Sequence, residues 1–107
     1  MSDVVVFAGT TEGYEICSFL AKNKVSVLAC VATDYGSKSL KEDEYLKIHA
    51  GRLNEAEIEN LLKELSPGLV LDATHPYAAE VTENIRTACK NTGLSYERVL
   101  REKGAYQ

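Results

Sequence analysis

Val4-Val5-Val6-Phe7-Ala8-Gly9-Thr10-Thr11-Glu12-Gly13 is the stretch of sequence that decides the fold. Its first five residues are apolar without interruption and mostly β-branched, a pattern typical of a parallel strand that is covered on both faces. Gly9 then permits a tight turn, and apolar side chains recur at helical spacing from the threonines to about Asn23. This stretch therefore predicts a buried strand, a glycine turn and a helix.

The same alternation of strand and helix continues along the chain. Further strands are predicted at Val25 to Ala32, Leu46 to His49, Leu69 to Ala73 and Ser95 to Leu100. Strict alternation predicts an α/β fold, a doubly wound, Rossmann-like parallel sheet with right-handed crossovers and the strand order 3-2-1-4-5. The chain has 107 residues, so we expect residues 1–107 to form a single domain.

Local signals mark where the later helices begin and end. Asn54 followed by Glu57 is a capping-box variant, and the helix that it starts ends before Pro67. Pro76 suits the first position of the last helix, which we expect to end at Gly93. The polar stretch from residue 35 to residue 44 is interpreted as a loop or a short irregular helix.

Composition excludes several classes of function. The formal net charge is −4, which disfavours a nucleic-acid binder because such proteins usually present a basic face. No apolar run approaches the roughly 20 residues that a membrane helix needs. The run from Val4 to Ala8 is too short for the core of a signal peptide and lacks a basic flank. We therefore expect a cytoplasmic protein that binds neither nucleic acid nor membrane.

The cysteines show no arrangement that favours a metal site or a disulfide framework. Cys17, Cys30 and Cys89 lie far apart, and none belongs to a C-x-x-C motif. Each falls in an apolar strand or helix pattern. We interpret them as buried thiols in a reducing compartment and predict no metal site.

The loop after the first strand is a candidate cofactor site. In this fold ligands bind at the carboxyl ends of the strands, where the strand order reverses between the first and fourth strands. The candidate cofactor-binding residues of the loop are Gly9, Thr10, Thr11, Glu12 and Gly13. Amide N–H groups at the start of the helix, together with the threonine hydroxyls, favour a phosphate. The alternative is an ordinary turn that Thr11 caps, since Ala8 and Thr10 interrupt the G-x-G-x-x-G pattern.

The turn after the fourth strand supplies the second candidate group. The predicted topology brings Thr74-His75-Pro76-Tyr77 next to the glycine loop, although some sixty residues separate them. His75 and Tyr77 would then line the floor of the crevice, and His75 could hydrogen-bond a ligand carboxylate or donate a proton. In the alternative interpretation His75 caps the following helix and Tyr77 is a packing aromatic residue.

Asp34 is a candidate for contact with the ribose of a dinucleotide. It ends the second predicted strand, 21 residues after Gly13, where an acidic residue commonly accepts hydrogen bonds from the ribose hydroxyls. A carboxylate there repels a 2′-phosphate and favours NADH over NADPH. Lys38 and Arg52 would weaken this preference if they face the same pocket, and a simple loop aspartate is the alternative.

Four motifs stand out along the chain: Gly9-Thr10-Thr11-Glu12-Gly13, Val31-Ala32-Thr33-Asp34-Tyr35-Gly36, Gly51-Arg52-Leu53 and Asp72-Ala73-Thr74-His75-Pro76-Tyr77-Ala78-Ala79-Glu80. Together they resemble the precorrin-6A reductase family, and most closely its cobalt-precorrin-6A reductase branch of anaerobic cobalamin biosynthesis. The motifs occur in the family's order across the whole chain. The chain departs from the family at Ala8, where a glycine is frequent, and at Tyr14, where an arginine is common.

The resemblance implies an oxidoreductase that acts on a CH–CH bond. It implies a hydride donor, NADH by the Asp34 interpretation with NADPH as the alternative, and a polycarboxylate tetrapyrrole as the substrate. Arg52, His75 and Tyr77 are the residues that it assigns to the substrate side. No residue is assigned a catalytic role.

The family also implies a second domain. Its members are much longer than this chain and pair two Rossmann-like domains around a cleft. We therefore expect this chain to be the N-terminal half of a two-domain enzyme, with a missing C-terminal domain and little activity by itself. A face meant for that domain could drive formation of a homodimer. The alternative function is a stand-alone nucleotide-binding regulatory module without catalysis.

Overall fold

A computed structural model describes residues 2–32 and 40–99 of the chain. The elements within these ranges are β1 (Val4–Ala8), α1 (Thr11–Lys22), β2 (Val27–Val31), β3 (Leu46–Ala50), α2 (Glu55–Leu65), β4 (Leu69–Ala73), α3 (Ala79–Thr92) and β5 (Tyr96–Arg98). All strand pairings are parallel, and the sheet has the order β3-β2-β1-β4-β5. The predicted fold class and strand order are confirmed.

The central strand β1 has all of its residues buried, because helices cover both faces of the sheet. Val4 and Val6 point to the face that α1 covers, where Cys17 and Ala21 pack against them. The alternate residues of β1 point to the other face, which α2 and α3 cover. The continuous apolar run therefore reflects burial on two sides, as its pattern predicted.

The start of α3 differs from the prediction. The helix begins at Ala79, and Pro76 lies before it in a turn that the amide of Ala78 closes by donating to the carbonyl oxygen of His75 at 2.9 Å. Ala78 has φ −89° and ψ 60°, so its backbone is not helical. Proline fixes only its own φ, a value that a turn and the first position of a helix both accept. The placement of Pro76 in the helix was therefore wrong.

Gly13 explains how closely α1 approaches the sheet. A Cβ atom at this position would lie 3.0 Å from the Cβ atom of Ala73 and 3.1 Å from that of Ala8. Any side chain would push the helix away from the carboxyl ends of β1 and β4. The glycine therefore serves close packing of the helix on the strands and brings the start of α1 to the edge of the sheet.

The three thiols are buried and free, as predicted from their apolar surroundings. Burial raises the pKa of Cys17 to about 12, and burial, together with the neighbouring Cys17, raises that of Cys30 to about 12. Burial and the charge of Asp72 raise the pKa of Cys89 to about 11. At neutral pH these groups stay protonated, which makes them poor nucleophiles and poor metal ligands.

Residues 2–32 and 40–99 contain neither a candidate metal cluster nor a helix that could span a membrane. No cluster of three or more His, Cys, Asp or Glu side chains in these ranges has a geometry that could hold a metal ion. None of the helices in the same ranges is both long enough and apolar enough to cross a bilayer.

Candidate functional site

The loop after β1 and the turn after β4 lie side by side at the carboxyl end of the sheet. The amide of Gly9 and the hydroxyl of Thr10 both donate to the carbonyl oxygen of Ala73, at 3.2 Å and 3.0 Å. A Cβ atom on Gly9 would lie 3.4 Å from the Cα atom of Thr74 and 3.5 Å from the amide nitrogen of His75. The predicted meeting of the two motifs at one mouth is confirmed.

Thr10, rather than Thr11, caps α1. Its backbone is extended, with φ −137° and ψ 165°, and its hydroxyl oxygen accepts a hydrogen bond from the amide of Gly13 at 3.2 Å. The same hydroxyl donates its proton to the carbonyl oxygen of Ala73, so it has no further hydrogen to donate to a ligand. Thr11 is the first helical residue and its side chain is exposed. The capping interpretation was right for this turn but named the wrong threonine.

A cavity of about 620 Å³ opens at this end of the sheet. Its walls are the ends of β1 and β2, the turns that follow β3 and β4, and the first turns of α2 and α3. Apolar lining residues such as Phe7, Ile58 and Val81 come from the face of the sheet that α2 and α3 cover. The volume is typical of a site for a small organic ligand or one part of a cofactor.

The structure brings some of the predicted site residues to this cavity and leaves others outside it. Gly9, Arg52 and His75 line the cavity. Tyr77 does not line it, and its side chain is 89% exposed beyond the mouth. Asp34 lies outside the described residues, so its contact with a ribose stays a prediction. Of the predicted site residues, the loop after β1 therefore contributes Gly9 to the cavity wall, and the turn after β4 contributes His75.

Arg52 owes its position to an unusual backbone conformation at Gly51. Gly51 has φ +128°, which L side chains rarely adopt, and its amide donates to the carbonyl oxygen of Val31 at 2.8 Å. The turn that results carries Arg52 to the wall of the cavity, where its side chain is exposed. Among the described lining residues it is the only lysine or arginine, beside the carboxylates of Glu57 and Glu80.

The carboxylate of Glu57 is already engaged in the capping box that the sequence predicted. It accepts a hydrogen bond from the amide of Asn54 at 2.8 Å, and the side chain of Asn54 accepts one from the amide of Glu57 at 2.8 Å. The pair fixes the start of α2 at the wall of the cavity. Glu57 therefore has a structural role there, whereas Arg52 is the lysine or arginine that the described lining residues offer to an anionic ligand.

His75 is oriented by its own turn and does not cap α3. The cap residue of that helix is Ala78, and it makes no side-chain capping bond. Nδ1 of His75 instead accepts a hydrogen bond from the amide of Tyr77 at 3.2 Å, and the two ring centroids lie 5.1 Å apart. An accepting Nδ1 leaves the proton of the neutral ring on Nε2. His75 can therefore present an N–H donor to a ligand.

A buried carboxylate lies directly behind this turn, and sequence reasoning gave it no role. Asp72, in β4, has no exposed surface. Oδ1 accepts from the amide and the hydroxyl of Thr74, at 3.1 Å and 2.7 Å, and Oδ2 accepts from the Tyr96 hydroxyl at 2.8 Å. The guanidinium of Arg98 completes the cluster, with Nη1 3.2 Å from Oδ1. The carboxylate is thus fully satisfied although it is removed from water.

The hydrogen bonds decide the ionisation of Asp72. Burial by itself raises the pKa of Asp72, but the hydrogen bonds from Thr74 and Tyr96 outweigh burial and hold the pKa below its usual value. Burial and the bond to the carboxylate raise the pKa of Tyr96. The cluster is therefore a carboxylate with neutral donors and one cation.

One signal in the sequence could have indicated this cluster. Asp72 is the only charged residue in the apolar run Leu69 to Ala73, and an aspartate in a buried strand needs hydrogen-bond partners. Tyr96 and Arg98 are two residues apart, which places them on one face of a strand. The predicted strand order makes β4 and β5 neighbours, but the sequence does not reveal the register between them, so it does not show that these residues meet.

The fold and the site define a Rossmann-like α/β protein, with a ligand cavity where the strand order reverses. Residues 3–106 match the family model described as Precorrin-6x reductase CbiJ/CobK. The chain belongs to this reductase family.

Individual proteins show the same relationship. The chain is 35% identical over 99 residues to the cobalt-precorrin-6A reductase of Methanothermobacter thermautotrophicus and, over the same number of residues, 35% identical to that of Salmonella typhimurium. Each alignment covers 92% of this chain but only 33% and 37% of the respective relative. The chain thus spans little more than a third of the curated relatives that it matches.

One solved structure supports the family assignment, and a second shares the fold. The structure named CobK precorrin-6A reductase superposes with a TM-score of 0.80 and 27% identity, covering 95% of this chain and 40% of that one. The Bordetella bronchiseptica enzyme WbmH, solved in complex with NAD+, superposes with a TM-score of 0.68 over 88% of this chain and 36% of its own. Its identity of 19% makes this second likeness one of fold alone.

Proposed function

We propose that this chain is the cofactor-binding part of a reductase that transfers a hydride from a nicotinamide dinucleotide to precorrin-6A or its cobalt form. The observation that carries the proposal is the contact between the glycine loop after β1 and the His75 turn after β4, at the mouth of one cavity. The membership in the reductase family and the fold shared with an NAD+-bound enzyme support it.

The loop after β1 fits the pyrophosphate of a dinucleotide. Gly9 has no side chain to occupy the mouth, and α1 begins two residues later, so the positive end of its dipole lies close to Gly9. The Thr11 side chain is exposed there and adds a hydroxyl donor. The loop departs from G-x-G-x-x-G, but the geometry that the pattern serves is present at Gly9 and Gly13.

The preference for NADH remains part of the proposal. It depends on Asp34, whose carboxylate accepts hydrogen bonds from ribose hydroxyls and repels a 2′-phosphate. Val31 and Ala32, which precede it, line the cavity, so the chain enters this segment at the wall where a ribose would lie. NADPH is the alternative cofactor.

Arg52, His75 and Tyr77 form the proposed substrate side. A polycarboxylate macrocycle offers anionic groups to the guanidinium of Arg52 and to the Nε2 donor of His75. The exposed ring of Tyr77, beside His75, offers an aromatic surface to the conjugated macrocycle. These roles divide the mouth into a cofactor side at Gly9 and a substrate side at the His75 turn.

The bound nicotinamide supplies the hydride, and the protein contributes binding and orientation. Orientation of a hydride donor against a macrocycle needs two walls, and this chain spans little more than a third of its curated relatives. We therefore propose that the remaining part of such a reductase forms the second wall and that this chain alone has little reductase activity.

Calorimetric titration of the purified chain with NADH and with NADPH tests the cofactor assignment. We expect NADH to bind more tightly, and Gly9→Ala to weaken its binding by about tenfold, because the new methyl group would stand against the backbone of Thr74 and His75, which line the cavity. Gly68→Ala is the matched control: its Cβ atom would meet only the carbonyl oxygen of Asp3, at 3.6 Å, before β4 begins. Equal affinities of the two variants for NADH would refute the assignment.

A further inference from the structure

Arg98 reaches from β5 to the turn that carries His75. Its Nη1 atom donates to the carbonyl oxygens of Asp72 and Thr74, both at 3.0 Å, and lies 3.2 Å from the Asp72 carboxylate. Its Nη2 atom lies 3.4 Å from the carbonyl oxygen of His75. One guanidinium thus contacts three consecutive parts of the polypeptide: the end of β4, the residue after it and the histidine.

Among residues 2–32 and 40–99, the turn makes few other hydrogen bonds to the rest of the fold. α3 starts at Ala79, its cap residue Ala78 makes no side-chain capping bond, and the bonds that Ala78 and Tyr77 make to His75 are local to the turn. Thr74 is tied to Asp72, and its hydroxyl lies 3.3 Å from that of Thr82. The contacts of Arg98 with the carbonyl oxygens of Thr74 and His75 therefore connect the turn to a different strand, β5.

The cluster around Asp72 holds the guanidinium in the orientation that these contacts need. Asp72 balances its charge, and the Tyr96 hydroxyl fixes the other oxygen of the carboxylate. The side chain of Arg98 is only 21% exposed, so little water competes for its donors. A planar fork with several donors can serve a carboxylate and successive carbonyl groups at once, whereas a lysine ammonium is a single point charge.

We infer that Arg98 is a positioning residue that holds the His75 turn against the mouth of the cavity. The inference about geometry is independent of any ligand. Only its consequence, that Arg98 sets the position of a ligand-binding histidine, rests on the proposed function. A role confined to stability makes a different prediction, because loss of an ordinary ion pair loosens the fold as a whole.

The test compares Arg98→Lys with Arg86→Lys in the purified chain. Arg86 is exposed on α3, 3.7 Å from Glu83, and offers the same chemical change away from the turn. Amide hydrogen exchange, measured by NMR, reports the bonds that the amides of Tyr77 and Ala78 make to His75. In Arg98→Lys we expect both amides to exchange about tenfold faster, with core amides of β1 unchanged relative to Arg86→Lys.

The ring of His75 gives a second, spectroscopic signature. In the native turn Nδ1 accepts from Tyr77, so its ¹⁵N shifts at high pH should report the Nε2–H tautomer. When the turn is released in Arg98→Lys, we expect the shifts to move toward a mixture of tautomers. Arg86→Lys should leave them as they are.

Two results would overturn the inference: unchanged exchange at Tyr77 and Ala78, or equal acceleration throughout the core of β1. Should Arg98→Lys not fold, Tyr96→Phe decides the question, since it removes one bond from Asp72 and should give a smaller acceleration at the same two amides. Titration of the native chain with NADH tests the proposed function independently of the role of Arg98. Local loosening without NADH binding would support the role of Arg98 and reject the proposed function.

Discussion

The Thr10 hydroxyl lies 3.0 Å from the carbonyl oxygen of Ala73 and joins the start of α1 to the end of β4. The same oxygen atom of Thr10 accepts from the amide of Gly13, so one side chain caps the helix and links it to a strand 63 residues further along the chain. The carboxyl ends of β1 and β4 are thereby held together at the point where the cavity opens.

Replacement of Thr10 therefore affects stability more than replacement of its neighbour. We expect Thr10→Ala to lower the free energy of unfolding by about 1–2 kcal/mol, since the cap and the link are lost together. Thr10→Ser keeps the hydroxyl and should recover most of this loss. Thr11→Ala, at an exposed position in the same turn, should stay within about 0.5 kcal/mol of the native chain. Urea denaturation measures all three, and equal effects of Thr10→Ala and Thr11→Ala would contradict the assignment of the cap.

Gly13→Ala sets helix propensity against packing. Alanine favours the helix by about 1 kcal/mol over glycine. The added methyl group, however, would lie 3.0 Å from the Cβ atom of Ala73 and 3.1 Å from the Cα atom of Ala8, which belong to two strands and cannot move aside independently. Overpacking of this kind costs about 1–3 kcal/mol, so we expect a net loss of stability. Urea denaturation measures the free energy of unfolding of Gly13→Ala, with Gly68→Ala as the control. A Gly13→Ala variant more stable than the native chain would show that α1 has room to shift.

Asp72 should make the fold sensitive to acid. Its pKa in the folded chain is lowered, so its contribution to stability is complete above the pKa of the unfolded chain, about 3.9, and is lost as the pH falls through the folded value. We expect Asp72→Asn to be less stable by about 3 kcal/mol at pH 7, because Arg98 then faces a neutral partner. The difference from the native chain should shrink below about pH 4.

Urea denaturation from pH 7 to pH 3 measures this convergence. Asp3→Asn is the control, since Asp3 is an exposed aspartate at the opposite end of the sheet. If the curves for Asp72→Asn and the native chain ran parallel over this range, the hydrogen-bonded carboxylate would not be a source of the acid sensitivity.

The parts of the fold that the sequence could predict depend on local patterns. The β1 run and the Asn54–Glu57 capping box are each contained in a few residues, and both were confirmed. The helix cap at Thr10 was missed because Thr10 and Thr11 are equally good caps by type, and the distant carbonyl group of Ala73 selects between them. Local patterns also left two positions open for Pro76, a turn and a helix start.

The candidate site also has a part that the sequence could predict and a part that it could not. Topology alone brings Gly9 and His75 together, since the carboxyl ends of neighbouring parallel strands share an edge of the sheet. The pairing of Asp72 with Arg98 depends on the register between β4 and β5. That register follows from packing over the whole sheet, so no stretch of sequence contains it.

Arg52 gives the clearest test of the substrate side. Arg52 lines the cavity and can offer its guanidinium to an anion there, whereas the carboxylate of Glu57, another lining residue, is already bonded to the amide of Asn54. Uroporphyrin, a polycarboxylate tetrapyrrole, is a practical probe for carboxylate recognition. We expect Arg52→Gln to weaken its binding by about tenfold, as loss of a charge-assisted hydrogen bond would, and to reduce the dependence of binding on salt.

Arg86→Gln is the matched control, because Arg86 loses the same charge on the exposed face of α3. Fluorescence titration of both variants at low and moderate ionic strength separates a specific contact from the effect of net charge. The chain carries a net charge of −4, so a variant that has lost any one arginine is more negative and repels a polyanion slightly more. If Arg52 makes a specific contact, the affinity of Arg52→Gln for uroporphyrin should be well below that of Arg86→Gln at both salt concentrations. Equal losses of affinity in the two variants would place the macrocycle elsewhere on the chain.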